Sequence, residues 1–146
     1  MSLSSILIQI FIVLYLRGYK KLDNTFGPHL TLDLVDCDKA LLSSLELHFA
    51  FLNEIPELIG MTKITQPYVF PYQGLVPEDA GITGLVVIAE SHLSIHSFEK
   101  KGYVFIDIFS CRYFDHNQVI EEAVKRFKPR TFESNVIYRG KDFPRG

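Results

Sequence analysis

Three short apolar runs between Gly81 and Cys111 most narrow what this chain can become. Leu85 to Ala89 is a continuous apolar stretch, and Ser94 to Phe98 and Tyr103 to Phe109 are two more, joined by Glu99-Lys100-Lys101-Gly102. Runs of this length, rich in Ile, Val and Phe and bounded by Gly and charge, read as strands, and a hairpin is their simplest topology. With Lys100-Lys101 as a two-residue loop, Glu99 pairs with Gly102, and the register sets His96 opposite Phe105 and Glu90 opposite Cys111. Opposed residues share a face at about 5 Å between Cβ atoms. Register alone therefore predicts His96, Cys111 and the Glu90-Ser91 bond as neighbours, a convergence of imidazole, thiol, carboxylate and hydroxyl. Asp107 falls on the Cys111 face in an otherwise apolar run and needs a hydrogen-bond partner if it is buried.

The rest of the chain reads as support for this stretch. His29 to Leu34 alternates apolar and polar residues like a half-buried strand, after a Leu22 to Pro28 segment of linker composition. Asp36 or Asp38 is placed to cap a helix whose apolar face is Leu41, Leu42, Leu45, Phe49 and Leu52, with His48 on its polar side and Pro56 as its end. Met61 to Tyr72 is β-prone, but Pro67 and Pro71 restrict it to an edge strand or loop, and Gln73 to Ala80 is a surface loop. Asp115 and Gln118 form a capping-box pattern ahead of a helix with Val119, Ile120, Ala123, Val124 and Phe127 on its apolar face, closed by Pro129. Thr131 to Tyr138 is a last strand, and the tail from Arg139 reads as polar and loose.

A length of 146 residues predicts one domain, residues 27–146, preceded by an apolar extension at residues 1–26. Within that extension Ile6 to Leu16 is shorter than the roughly 20 residues of a spanning helix and lacks the flanks of a signal peptide, so no membrane span is expected. Fifteen basic against seventeen acidic residues leave no basic stripe, which argues against a nucleic-acid partner; Lys100-Lys101 reads as a solvated turn. Two cysteines without CxxC or His/Cys spacing give no disulfide framework and no metal site, and point to a cytoplasmic, reduced setting, although the two could pair. Taken singly, Ser91, His96 and Cys111 fit a hydrolase, a redox protein or no chemistry equally well. The GxSxG elbow of a serine hydrolase is absent, as is any glycine-rich phosphate loop.

As a string the residues carry more. Gly81-Ile82-Thr83-Gly84, then Glu90-Ser91-His92-Leu93-Ser94-Ile95-His96, Gly102-Tyr103 and Asp107-Ile108-Phe109-Ser110-Cys111 resemble the prokaryotic S-adenosylmethionine decarboxylase proenzymes. Gly27-Pro28-His29-Leu30, Asp33 and Cys37-Asp38 extend the resemblance over Gly27 to Tyr138. It implies an α+β fold, a two-layer α/β sandwich of mainly antiparallel sheet with helices packed on one face, and a homodimer with sites near the interface. It also implies cleavage between Glu90 and Ser91 by an acyl shift and β-elimination, which leaves a covalent pyruvoyl group derived from Ser91. That carbonyl takes the substrate amine as a Schiff base and accepts electrons as carbon dioxide leaves, in the role pyridoxal phosphate plays elsewhere, so neither pyridoxal phosphate nor a metal is expected. By the same resemblance His96 assists processing, Thr83 stands in the place of a processing Ser, and Cys111 returns a proton to the product.

The implied product is decarboxylated S-adenosylmethionine for spermidine synthesis, with Phe70 or Tyr72 stacking on the adenine. Where such proteins often carry Trp-Pro-Glu, with the Glu on the ribose, this chain has Phe98-Glu99-Lys100. A cation stands at the expected acid, leaving Glu99 as the substitute after a one-residue shift. This departure keeps two alternatives open: a pyruvoyl enzyme for a basic amino acid such as ornithine or arginine, and a non-processing homologue with a binding role.

Overall fold

The alternation read at His29 to Leu34 belongs to a longer strand, β1 (Gly27–Val35), in a computed structural model that describes residues 24–144. The extension read at residues 1–26, with its apolar run, lies almost wholly outside the described residues. Leu30, Leu32 and Leu34 of β1 are fully buried, whereas Thr31, Asp33 and Val35 between them are only half-buried. One face of β1 is therefore core and the other is open.

After β1 come α1 (Lys39–Leu42), α2 (Leu45–Leu58), β2 (Thr62–Lys63), β3 (Tyr68–Tyr72), β4 (Gly81–Ala89), β5 (Ser91–Phe98), β6 (Tyr103–Phe109), α3 (His116–Phe127) and β7 (Thr131–Arg139). The strands form one antiparallel seven-stranded sheet in the order β2-β4-β5-β6-β1-β7, with β3 sharing the outer side of β4 with β2. The helices lie against one face, giving the α+β two-layer arrangement. Their core partners on β6 are Val104, Ile106 and Ile108, and Phe51 of α2 meets Phe127 of α3 edge-on at 5.5 Å. β7 is an edge strand, paired with β1 along its full length and exposed at every position. The tail behind it is partly tied down: Phe143 packs edge-on against Phe26 at 4.8 Å, and Asp142 N–H donates to the Asn24 carbonyl at 2.6 Å.

The first helical region differs from its sequence reading. A single amphipathic helix is replaced by two, because α1 closes at Ser43 and Ser44 restarts the chain as α2, its hydroxyl accepting Leu47 N–H at 3.1 Å. Asp38 caps α1 through Ala40 N–H at 3.1 Å. The restart turns His48, Phe51, Leu52 and Ile55 inward and leaves Leu45 and Phe49 exposed. His48, read as polar-side, is thus wholly buried. Nor does Pro56 end the helix; it sits buried in the last turn, and α2 continues to Leu58. The second helix matches its reading, with Asp115 capping α3 through Asn117 N–H at 3.0 Å and Val119, Ala123 and Phe127 buried.

Burial holds two histidines of this layer below their ordinary pKa of 6.5, His48 against a smaller opposing pull from its bond to the Ser44 backbone and His116 against one from Asp115. Both are neutral in the fold, and protonation favours the unfolded chain. Their stabilising contribution is complete above about pH 6.5, the unfolded value, and is lost as pH falls toward the lower folded values. Thermal midpoints are expected to be flat from pH 8 to 7 and to drop between pH 6 and 5, with a shallower drop in His48→Gln.

Candidate active site

The hairpin of β5 and β6 has the register expected of it. His96 pairs with Phe105 and His92 with Phe109, and the same register continued meets Cys111 at Glu90, whose N–H points at Cys111 Sγ over 3.4 Å. What sequence reading missed is a second hairpin. β4 and β5 pair antiparallel from Ile88 with Ser91 to Thr83 with His96, so Glu90 is the turn between two strands. The bond between Glu90 and Ser91 therefore stands at an exposed tip, and the Ser91 hydroxyl donates a hydrogen bond to the Glu90 carbonyl.

Around this tip the open face of the sheet carries a ring of polar groups. His29 Nε2 lies 3.2 Å from Asp107 Oδ1, so the half-buried Asp107 has the partner its setting requires. The Phe109 ring is flanked by the Arg139 guanidinium at 4.3 Å and by His29 and His92 at 5.8 and 6.0 Å. Burial first, then the neighbouring His29 and Arg139, hold His92 below its ordinary value of 6.5, so it is neutral at pH 7. Cys37 and Cys111 are not joined in a disulfide; burial, with Asp36 adding to it, pushes Cys37 up to about 11. A thiol so reluctant to ionise is a core residue, whereas Cys111 is half-exposed at the tip.

A second group of the expected residues gathers elsewhere. Thr83 Oγ1 and His96 Nδ1 are 3.1 Å apart across β4 and β5, on the wall of a cavity of about 360 Å³. Phe70, Tyr72 and Phe98 give this cavity aromatic surface, and Asp79, from a short 3-10 turn at Pro77–Asp79, gives it a carboxylate. Asp79 is ion-paired with Lys101, which ties the 73–80 loop to the β5–β6 turn. Glu99 and Lys100 are exposed in that turn, and neither lines the cavity. Asp79 carried no signal in the sequence, because only the fold of a surface loop brings it to the aromatic wall.

The two groups do not meet within one chain. His96 is five residues beyond Ser91 on β5, about 17 Å at 3.3 Å per residue. Glu90, Ser91 and Cys111 thus come together as read, but His96, read from the sequence as their neighbour, stands instead with Thr83 at the aromatic cavity, because five residues of extended strand separate it from Ser91.

Comparison with known proteins identifies the family and the fold. A family model described as S-adenosylmethionine decarboxylase matches residues 28–140. The S-adenosylmethionine decarboxylase proenzyme of Archaeoglobus fulgidus is 31% identical over 118 residues, which is 78% of this chain and 97% of that protein. The corresponding proenzyme of Methanococcus aeolicus is 34% identical over 116 residues, covering 78% and 93%. In fold, the crystal structure of the adenosylmethionine decarboxylase from Aquifex aeolicus superposes with a TM-score of 0.67 at 24% identity, covering 80% of this chain and 92% of that one. With most of its length matched and a shared fold, this chain belongs to the S-adenosylmethionine decarboxylase family.

Proposed function

We propose that the chain is a self-processing proenzyme that cuts itself between Glu90 and Ser91 and then, through the resulting pyruvoyl group, decarboxylates S-adenosylmethionine for spermidine synthesis. The observation that carries this reading is the Ser91 hydroxyl bonded to the Glu90 carbonyl, the group it must attack. Attack of Oγ on that carbonyl carbon breaks the peptide C–N bond and leaves an ester with a free amino group on residue 91. Removal of the residue 91 Cα proton then expels the Glu90 carboxylate by breaking the Cβ–Oγ bond. The dehydroalanine so formed takes a proton on Cβ to become an imine, water replaces the imine nitrogen, ammonia leaves, and the new chain starts with a pyruvoyl group. That group supplies an electron sink for the substrate carbon as carbon dioxide departs.

In this reading His96 takes the Cα proton, and Thr83 holds its ring through the 3.1 Å contact with Nδ1. Cys111 gives a proton to the product carbon. Phe70, Tyr72 and Phe98 accept the adenine face, and Asp79 faces the cationic, hydroxyl-bearing part of the ligand in place of Glu99. An aromatic wall of this kind favours a nucleoside over ornithine or arginine.

The 17 Å estimate supports a homodimer, since a single chain leaves His96 far from the bond it serves. Two copies with their open sheet faces together bring the Thr83 and His96 pair of one to the Ser91 and Cys111 tip of the other. Intact mass tests the processing: two chains are expected, one ending at Glu90 and one starting at a residue-91 pyruvoyl group. A chain that stays whole on prolonged incubation refutes it. Co-expressing His96→Ala and Cys111→Ala chains tests the dimer. Mixed dimers are expected to regain turnover that neither parent shows, and no recovery would place all the groups in one chain.

A further inference from the structure

We infer that His48 is a positioning residue for self-processing: acting through Ser97 from beneath the sheet, it holds β4 and β5 at the spacing that sets Thr83 against His96. The inference rests on the role of that pair proposed above. His48 is the one wholly buried histidine among the described residues, and Ser97 beside it is almost as deeply buried. Two polar side chains within an apolar core are costly unless every hydrogen-bonding atom is satisfied.

Here they form one chain of hydrogen bonds. His48 Nδ1 donates to the Ser44 carbonyl at 2.7 Å, which leaves Nε2 of the neutral ring as an acceptor. Ser97 Oγ donates to that nitrogen at 2.9 Å and accepts Ile82 N–H at 3.2 Å. The Phe127 ring closes the pocket edge-on at 5.3 Å. α2, β5 and β4 are thereby joined through a single imidazole.

The place of this link ties it to the chemistry. The paired register of β4 and β5 ends at Thr83 with His96. One residue further on each strand are Ile82 and Ser97, where the Ser97 side chain makes the bond between the strands. At Gly81 the approach is so close that a Cβ would overlap the Ser97 carbonyl oxygen. Ser97 also borders the cavity that Thr83 and His96 line. Freed from His48, the Ser97 proton can turn to the Ile82 carbonyl, 3.4 Å from the same oxygen, and α2 then no longer fixes the strand ends beside the Thr83 contact. A shift of about 1 Å in such a pair is enough to cost on the order of 100-fold in rate.

The test measures the rate of self-cleavage by intact mass at a temperature where each variant is folded by circular dichroism. His48→Ala and Ser97→Ala are expected to cleave about 10- to 100-fold more slowly than the wild type. His48→Gln places an amide oxygen where Nε2 stands and is expected to restore cleavage to within a few-fold. His48→Asn keeps only the bond to Ser44 and is expected to stay slow. A purely structural histidine would not separate the Gln from the Asn variant at equal folded fraction. Equal rates for Gln and Asn, or wild-type rates in both alanine variants, overturn the inference while leaving the processing reading intact. If His48→Ala does not fold, the comparison of Gln with Asn decides. A wild-type chain that never cleaves removes the processing reading, and this inference falls with it.

Discussion

Ser91→Ala is expected to leave the chain whole, at its full 16.7 kDa, and without decarboxylase activity. Alanine removes the only oxygen on that side chain, so no ester forms at Glu90 and no pyruvoyl group follows. Loss of turnover should be complete, because the variant lacks the electrophile altogether. The fold should hardly notice the change. Ser91 sits at a half-exposed strand tip, and its side-chain hydrogen bond is local, to the preceding residue, so a stability change within about 0.5 to 1 kcal/mol is expected. Intact mass beside a melting curve checks both halves. Normal cleavage of Ser91→Ala would move the nucleophile to another residue.

Cys111→Ala is expected to separate the two stages of the chemistry. Its Sγ stands 3.4 Å from Glu90 N–H, a weak contact whose removal leaves the Ser91 hydroxyl and the Glu90 carbonyl in place. Cleavage is expected to proceed at close to the wild-type rate. Decarboxylation is expected to fall by about 10²- to 10⁴-fold, the usual contribution of a positioned proton donor. Carbon dioxide release from S-adenosylmethionine, measured on fully cleaved protein, is the readout. Undiminished turnover would take the proton-donor role from Cys111, and failed cleavage would place the thiol in processing instead.

How far the chain was legible depended on how local the information was. The Tyr103 to Phe109 strand and its register follow from a period-2 pattern, and His96 opposite Phe105 came out as read, although the turn spans the four residues Glu99 to Gly102 in place of the two expected. Helix α3 was equally legible, since its cap and apolar spacing lie within thirteen residues. The first helical region was not. Whether Ser44 continues a helix or caps a new one depends on a core that must receive either Leu45 and Phe49 or His48, Phe51 and Ile55. Local propensity does not distinguish these faces.

The site divides in the same way. By itself the sequence determined which groups are present and which pairs adjacent strands must oppose, because backbone hydrogen bonding fixes register once the turn is known. It therefore placed Glu90 and Ser91 near Cys111, but it placed His96 with them too, which the five-residue separation along β5 does not allow. Only the tertiary structure decided that β4 turns back on β5 at Glu90, setting Thr83 against His96 about 17 Å from Ser91. Only the folded 73–80 loop brings Asp79 to the aromatic wall, and only the packing of α2 beneath the sheet joins His48 to Ser97. Contacts between distant segments arise from burying one apolar face against another, and no short-range pattern in the chain encodes where that burial brings a side chain to rest.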